Sequence, residues 1–253
     1  MRPSAHAIGS AIAWSRSLFP APRSGFRVLA YHAVGTQPSF EHYGISIDPS
    51  HFRDQLDELA ARSGVVQLQA ILGPNPTGVA LTFDDGFRDA LEFVAPAVAD
   101  RGIPATVFVT IDFARGSSRS YLSPGEIRAL ASMPGIEIGS HCVSHQRLTG
   151  CDDTALATEL RDSRHLLEDW TGVPVTSIAY PHGAVDRRVR DAASSAGYEI
   201  GCTARYGNNG PACDPMLLNR VEVLSSDSMR NFREKLRGDW DWWGLRHGGR
   251  PEA

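Results

Sequence analysis

Short runs rich in valine, isoleucine and phenylalanine recur along the chain, and segments of helical periodicity stand between them. That alternation is the pattern of successive βα units around a mostly parallel sheet, because parallel neighbours need a crossover long enough to hold a helix. It predicts seven strands, at residues 27–31, 79–83, 105–111, 136–139, 175–180, 199–203 and 220–224. The intervening residues carry helix signals. Ser50 precedes Phe52, Leu56, Leu59 and Ala60 at helical spacing, with Gly64 just past the end. Ser123-Pro124-Gly125-Glu126 joins an N-cap to a first-turn proline and a capping-box glutamate. Asp152 or Asp153 caps a longer helix that turns Leu156, Leu160, Leu167 and Trp170 to the core and stops near Gly172 and Pro174. Asp227 precedes a last helix through Leu236, and Pro96 is expected to kink the segment 87–101.

The expected fold is therefore α/β, a distorted (β/α)7 barrel in a single domain. A chain of 253 residues, 42% of them hydrophobic, can bury one substantial core. The domain is placed at 27–240, between an N-terminal extension, 1–26, and a C-terminal tail, 241–253. The stretch 73–78 reads as a turn and 206–215 as a surface loop.

Charge is nearly balanced, 25 basic against 29 acidic residues, which argues against nucleic acid or an anionic membrane as partner. Cys142, Cys151, Cys202 and Cys213 contain no Cys-x-x-Cys pair and are expected to be small buried side chains. Residues 11–19 are interrupted by Ser15, Arg16 and Ser17, so no transmembrane segment is expected and a cytoplasmic location is the default. Residues 5–19 have the pattern of a short amphipathic helix, with Ile8, Ile12 and Leu18 on one side, suited to the inner face of a membrane.

Chemistry concentrates at two strand ends. In Thr82-Phe83-Asp84-Asp85-Gly86 an apolar strand runs into two adjacent carboxylates, and the glycine lets the chain turn so that both acids can face one cavity. In barrels that end of a strand is where active sites are built. Two neighbouring carboxylates repel unless a cation intervenes, so one reads as a metal ligand and the other as a base. A turn with solvated acids and a helix N-cap accounts for the same five residues. The second signal, His141-Cys142-Val143-Ser144-His145, follows the strand 136–139 and sets two imidazoles four apart, expected on one side of a helical turn. Two imidazoles and one carboxylate leave positions open for water and substrate, as catalytic zinc requires. Metal in such a set supplies hydroxide near neutral pH and polarises a carbonyl.

These motifs resemble those of the polysaccharide deacetylase family, carbohydrate esterase family 4. Its Thr-Phe-Asp-Asp-Gly motif stands here as Thr82 to Gly86, and its His-x-x-x-His motif as His141 to His145. Leu29-Ala30-Tyr31-His32 and Pro104-Ala105-Thr106-Val107-Phe108-Val109 match as well, so that the likeness covers residues 28–224. The resemblance implies Asp84 as general base and Asp85, His141 and His145 as ligands of a divalent metal. Zinc is the default, and cobalt, nickel or iron suit the same ligands. Tyr180-Pro181-His182-Gly183 is similar to the Tyr-Pro-x-Gly version found in exopolysaccharide-modifying members. By that analogy the His182 backbone N–H serves the oxyanion. Its imidazole lines the pocket or is an idle loop side chain.

Two departures accompany the resemblance. The arginine that orients the base in many relatives is replaced by Ala179, and the late Leu-x-His motif is absent. Arg220, just before the last strand, either brings charge to the site or is a strand-edge residue paired with an acid. His32, at the end of the first strand, either replaces the missing acid or contacts substrate, or is satisfied within the core. Trp240, Trp242 and Trp243 offer faces for sugar stacking, but closing the barrel bottom is their expected use. The activity implied is metal-dependent removal of the N-acetyl group from an amino sugar in an oligo- or polysaccharide or a lipid-linked glycan. Two alternatives remain: hydrolysis of another C–N bond such as that of a formamido sugar, and glycan binding without turnover.

Overall fold

The computed structural model describes residues 25–38, 44–62 and 64–241. Nine strands lie among them: β1 (Phe26–Tyr31), β2 (Ala33–Val34), β3 (Ser46–Ile47), β4 (Gly78–Phe83), β5 (Ala105–Val109), β6 (Ile136–Ser140), β7 (Ser177–Ala179), β8 (Ile200–Cys202) and β9 (Val221–Glu222). Seven form one parallel sheet in the order β8-β7-β6-β5-β4-β1-β9, and β2 and β3 pair separately. Every residue of β1 and β5 is buried, which is why these strands read as continuous apolar runs instead of alternating ones.

Phe26 and Val28 of β1, Ala80 of β4, Phe108 of β5, Ala179 of β7, Ile200 and Cys202 of β8, and Leu218 form one buried cluster with Leu68 and Ile71 of a short 3₁₀ helix. A cluster drawn from so many strands is the filling of a barrel, a packed core and not a pore. Gly139 makes room for it: a Cβ there would stand 2.4 Å from the Phe108 ring. The larger apolar cluster lies between the outer faces of the strands and the helices.

Curling brings the two edges of the sheet to a single segment. Leu218 N–H donates to Gly201 C=O at 2.8 Å, Thr203 N–H donates to Leu218 C=O at 2.9 Å, and three residues later Val221 pairs with Leu29 of β1. The distorted (β/α)7 barrel expected from the alternation is the observed fold.

Seven α-helices are described: α1 (Pro49–Ala60), α2 (Ala95–Ala99), α3 (Ile111–Arg115), α4 (Pro124–Ala131), α5 (Asp153–Thr171), α6 (Arg187–Ser195) and α7 (Met229–Arg237). The Ser123 capping box and the Asp152 cap are present, and α5 ends on Gly172 at φ 75°. Pro96 stands at a break, where a π turn over Ala90–Val94 gives way to α2. Three expectations need correction. Asp48, not Ser50, caps α1, because Pro49 occupies the first helical position. Ser228, not Asp227, caps α7, since the Asp227 carboxylate is taken by Lys235 and the Leu224 N–H. The strand predicted at 105–111 ends at Val109, and Ile111 and Asp112 donate their N–H groups to Cys142 and Val143 C=O at 3.2 and 2.9 Å.

All four cysteines are free, three of them buried. No helix among the described residues is long and apolar enough to cross a membrane. The amphipathic helix expected at 5–19, Trp242 and Trp243 lie outside the described residues. Trp240 is buried, with its indole N–H on Glu234 and Lys235 above its ring.

Candidate metal and catalytic centre

Among the described residues only four non-glycine residues have positive φ: Asp85 at 70°, Cys142 at 65°, His145 at 61° and His182 at 57°. All four lie in the loops that leave β4, β6 and β7. A side chain in that region costs about 1–3 kcal/mol, so such a cluster marks a place where function constrains the backbone.

The three expected ligands are brought together. Asp85 Oδ1 stands 3.5 Å from His141 Nε2 and 3.3 Å from His145 Nε2, and their ligand atoms all lie within 4.8 Å of one another. His141 Nδ1 is 2.7 Å from Ala179 C=O, which assigns the proton to Nδ1 and leaves the Nε2 lone pair facing Asp85. Burial, opposed by the charges of Asp84 and Asp85, pushes the His141 imidazole down to about 4, so it is neutral at physiological pH. Asp85 Oδ1 is buried with no hydrogen-bond partner. A carboxylate oxygen and an imidazole lone pair facing each other in a buried space, with no proton between them, fit a divalent cation.

The His-x-x-x-His pair does not lie on a helical turn, as its spacing suggested. Residues 141–146 form an irregular loop, and its shape comes from Glu159, a buried carboxylate on α5. Val143 N–H and Ser144 N–H donate to Glu159 Oε2 at 2.8 and 3.1 Å, and Gln146 Nε2 donates to Oε1 at 2.8 Å. Glu159 was missed in the sequence. Its signal was a charged residue on the stripe of Leu156, Leu160 and Leu167 that α5 turns to the core.

Asp84 is held from across the barrel. Arg220 Nη1 and Nη2 donate to its two carboxylate oxygens, each at 2.7 Å, while Arg220 Nε donates to Thr203 C=O at 2.8 Å. Both readings of Arg220 are thereby met in one contact, since it pairs with an acid and that acid is in the site. Burial pushes the Asp84 carboxyl up, but the charge and the paired hydrogen bonds of Arg220 outweigh burial and hold it well below the usual carboxylate range. The cation beside this carboxylate is thus a guanidinium.

His32 is half-buried, and its Nδ1 has no partner among the described residues. It directly follows Tyr31, which pairs with Phe83 and whose C=O accepts the Asp84 N–H at 2.9 Å, so the backbone sets it alongside the acid motif. His182 is exposed; its Nε2–H donates to His145 C=O at 3.2 Å, and its ring lies 4.6 Å from that of His145. Burial and the neighbouring His145 push the His182 imidazole down.

A further segment, residues 120–122, lies against the loop that carries Asp85. Arg88 N–H donates to Ser120 C=O at 2.8 Å and Leu122 N–H to Gly86 C=O at 2.9 Å, which binds Tyr121 onto the loop that carries Asp85. Phe87, Tyr121 and Phe113 stack in sequence with centroid separations of 4.9 and 4.5 Å, and Phe113 reaches His145 at 5.5 Å. Burial and the charge of Asp85 push the Tyr121 hydroxyl up to about 12.

The family model for polysaccharide deacetylase matches residues 73–201, just over half of the chain, and spans both motifs. This chain belongs to the polysaccharide deacetylase family. It is accordingly a hydrolase acting on carbon–nitrogen bonds. Among curated relatives, the polysaccharide deacetylase-named protein YxkH of Bacillus subtilis (strain 168) is 26% identical over 235 residues, covering 89% of this chain and 81% of YxkH. Among solved structures, the Streptococcus pyogenes deacetylase PplD in complex with acetate superposes with a TM-score of 0.75 at 23% identity, over 85% of this chain and 99% of PplD. BC0361, a polysaccharide deacetylase from Bacillus cereus, gives a TM-score of 0.73 at 23% identity, over 84% and 69% of the two chains. At those identities the superpositions support the deacetylase fold.

Proposed function

We propose that this polysaccharide deacetylase removes the N-acetyl group from an amino sugar of an oligo- or polysaccharide or a lipid-linked glycan, using a divalent metal held by Asp85, His141 and His145. The observation that carries the reading is the juxtaposition of that ligand set with a second carboxylate, Asp84, fixed by two 2.7 Å hydrogen bonds from Arg220. Zinc suits two imidazoles and one carboxylate best, and when bound it polarises the acyl carbonyl and lowers the pKa of water.

The residues of the chain divide the remaining work. Asp84 is the general base: Arg220 keeps it ionised and aimed, so that it takes the proton of the attacking water. Hydrolysis also requires a proton on the leaving amine. His32, with a ring nitrogen that has no partner among the described residues and a backbone position alongside the acid motif, is the side chain assigned to deliver it. The His182 backbone N–H, on its left-handed turn, is assigned to the developing oxyanion, and Tyr180-Pro181-His182-Gly183 supports a place among exopolysaccharide-type members. Acetate and a free amino sugar are the products.

The test is acetate release from N-acetylglucosamine oligomers by the zinc-loaded chain and by Asp84→Asn. The variant is expected to lose about 10²–10⁴-fold in kcat at unchanged zinc stoichiometry. Full activity in Asp84→Asn would remove the base assignment. Formate release from a formamido sugar, with no acetate from any acetylated glycan, would redirect the reading to a deformylase.

A further inference from the structure

Tyr121 belongs to no motif that the family resemblance supplied, yet its position is tightly determined. The two backbone hydrogen bonds that tie residues 120–122 to residues 86–88 fix its Cα against the Asp85 loop. Its ring is then sandwiched between Phe87, at 4.9 Å and 24°, and Phe113, at 4.5 Å and 29°. Both faces of the phenol are therefore covered by protein, and no sugar can stack on them. What remains to present is the ring edge and the hydroxyl.

The ring is half-buried, and the hydroxyl has no hydrogen-bond partner among the described residues. Of the other described tyrosines, Tyr31 donates to Gln55, Tyr180 to Met216 C=O and Tyr198 to Leu160 C=O, while the buried Tyr206 hydroxyl has no partner among the described residues. An ordered phenol beside a metal-ligand loop, with its faces filled and its donor free, is a polar contact waiting for a ligand. Its place over the mouth of β5, between the Asp85 loop and the His145 loop, also gives it a side of the site. Arg220 precedes β9 and His32 follows β1, strands on the other side of β4. Tyr121, stacked on Phe113 beyond β5, and these two side chains therefore belong to opposite sides of β4.

We propose that the Tyr121 hydroxyl donates a hydrogen bond to a hydroxyl of the bound amino sugar, and so selects the orientation in which that sugar presents its N-acyl group. The inference rests on the deacetylase reading above. It makes Tyr121 a contact of the ground state and the transition state alike, and not a participant at the reacting carbon. Removing such an interaction raises KM and leaves kcat in place.

Tyr121→Phe keeps the stacked rings and deletes only the oxygen. The expected outcome with N-acetylglucosamine tetramer is a KM about five- to tenfold higher at unchanged kcat, the change that one neutral hydrogen bond supports. Binding of the tetramer to zinc-loaded Asp84→Asn, measured by calorimetry with and without Tyr121→Phe, should weaken by the same factor. Thermal stability and zinc stoichiometry should not change. Equal KM and equal affinity would show that Tyr121 only packs, and a fall in kcat alone would move its hydroxyl to the reacting centre; either overturns the proposal. If the unmodified chain neither binds nor deacetylates the tetramer while zinc is bound, the deacetylase reading on this substrate fails first and the inference falls with it.

Discussion

At the scale of single residues, the contact between Arg220 and Asp84 lies outside the candidate ligand set and can be tested apart from it. Arg220 is separated from Asp84 by 136 positions, and both side chains are buried, at 5% and 4% exposure. Arg220→Met would leave a buried carboxylate without its counter-charge, a change that costs about 3–5 kcal/mol. Urea denaturation should show that loss, together with the disappearance of acetate release. Arg220→Lys tests geometry separately from charge. An ammonium cannot span both carboxylate oxygens, so this variant should stay folded, bind zinc normally and lose kcat. Nothing in the local sequence reveals this pair. Ala179 marks the departure from the family motif, but the pairing of Asp84 with Arg220 depends on a contact between the exit of β4 and the entry to β9.

At the scale of elements, the loop after β6 shows what spacing can and cannot convey. The interval of four between His141 and His145 does bring both imidazoles to Asp85, although not through a helical turn. With Cys142 and His145 both at positive φ, the loop needs an outside template, which the buried Glu159 of α5 supplies. Ser140 and Ser163 continue the same contact, hydroxyl to hydroxyl at 2.9 Å. Glu159→Gln preserves size while exchanging one acceptor oxygen for a donor. It should weaken zinc binding about 10- to 100-fold in a competition assay with a chelator, at little cost to the fold. The strands and capped helices were legible because period, N-caps and terminal glycines are local properties. The 141–146 loop was not, since its conformation is set by a carboxylate on the following helix.

At the scale of the whole molecule, the barrel works by bringing four strand exits to one end, and the connections that hold that end are themselves testable. Asp89 accepts hydrogen bonds from Val34 N–H at 2.8 Å and Thr36 N–H at 3.1 Å, joining the segment after the acid motif to β2. Burial, only partly offset by those bonds, pushes its carboxyl from 3.8 up to about 6. The folded state therefore favours the protonated form. The resulting penalty is absent below pH 3.8 and grows as pH rises until it is complete above about 6. Asp89→Asn retains an acceptor for both N–H groups and carries no charge. Its melting temperature should exceed that of the unmodified chain by several degrees at pH 8, and the difference should vanish near pH 4. By itself the sequence determined the βα alternation, the parallel sheet and the candidate ligand set Asp85, His141 and His145, because each is written in residues that are neighbours or share one strand end. Only the tertiary structure decided how Asp84 is held, what shapes the His141–His145 loop and where the Tyr121 hydroxyl stands. Those depend on contacts between segments far apart in the chain, which exist only once the curled sheet has brought its strand ends together.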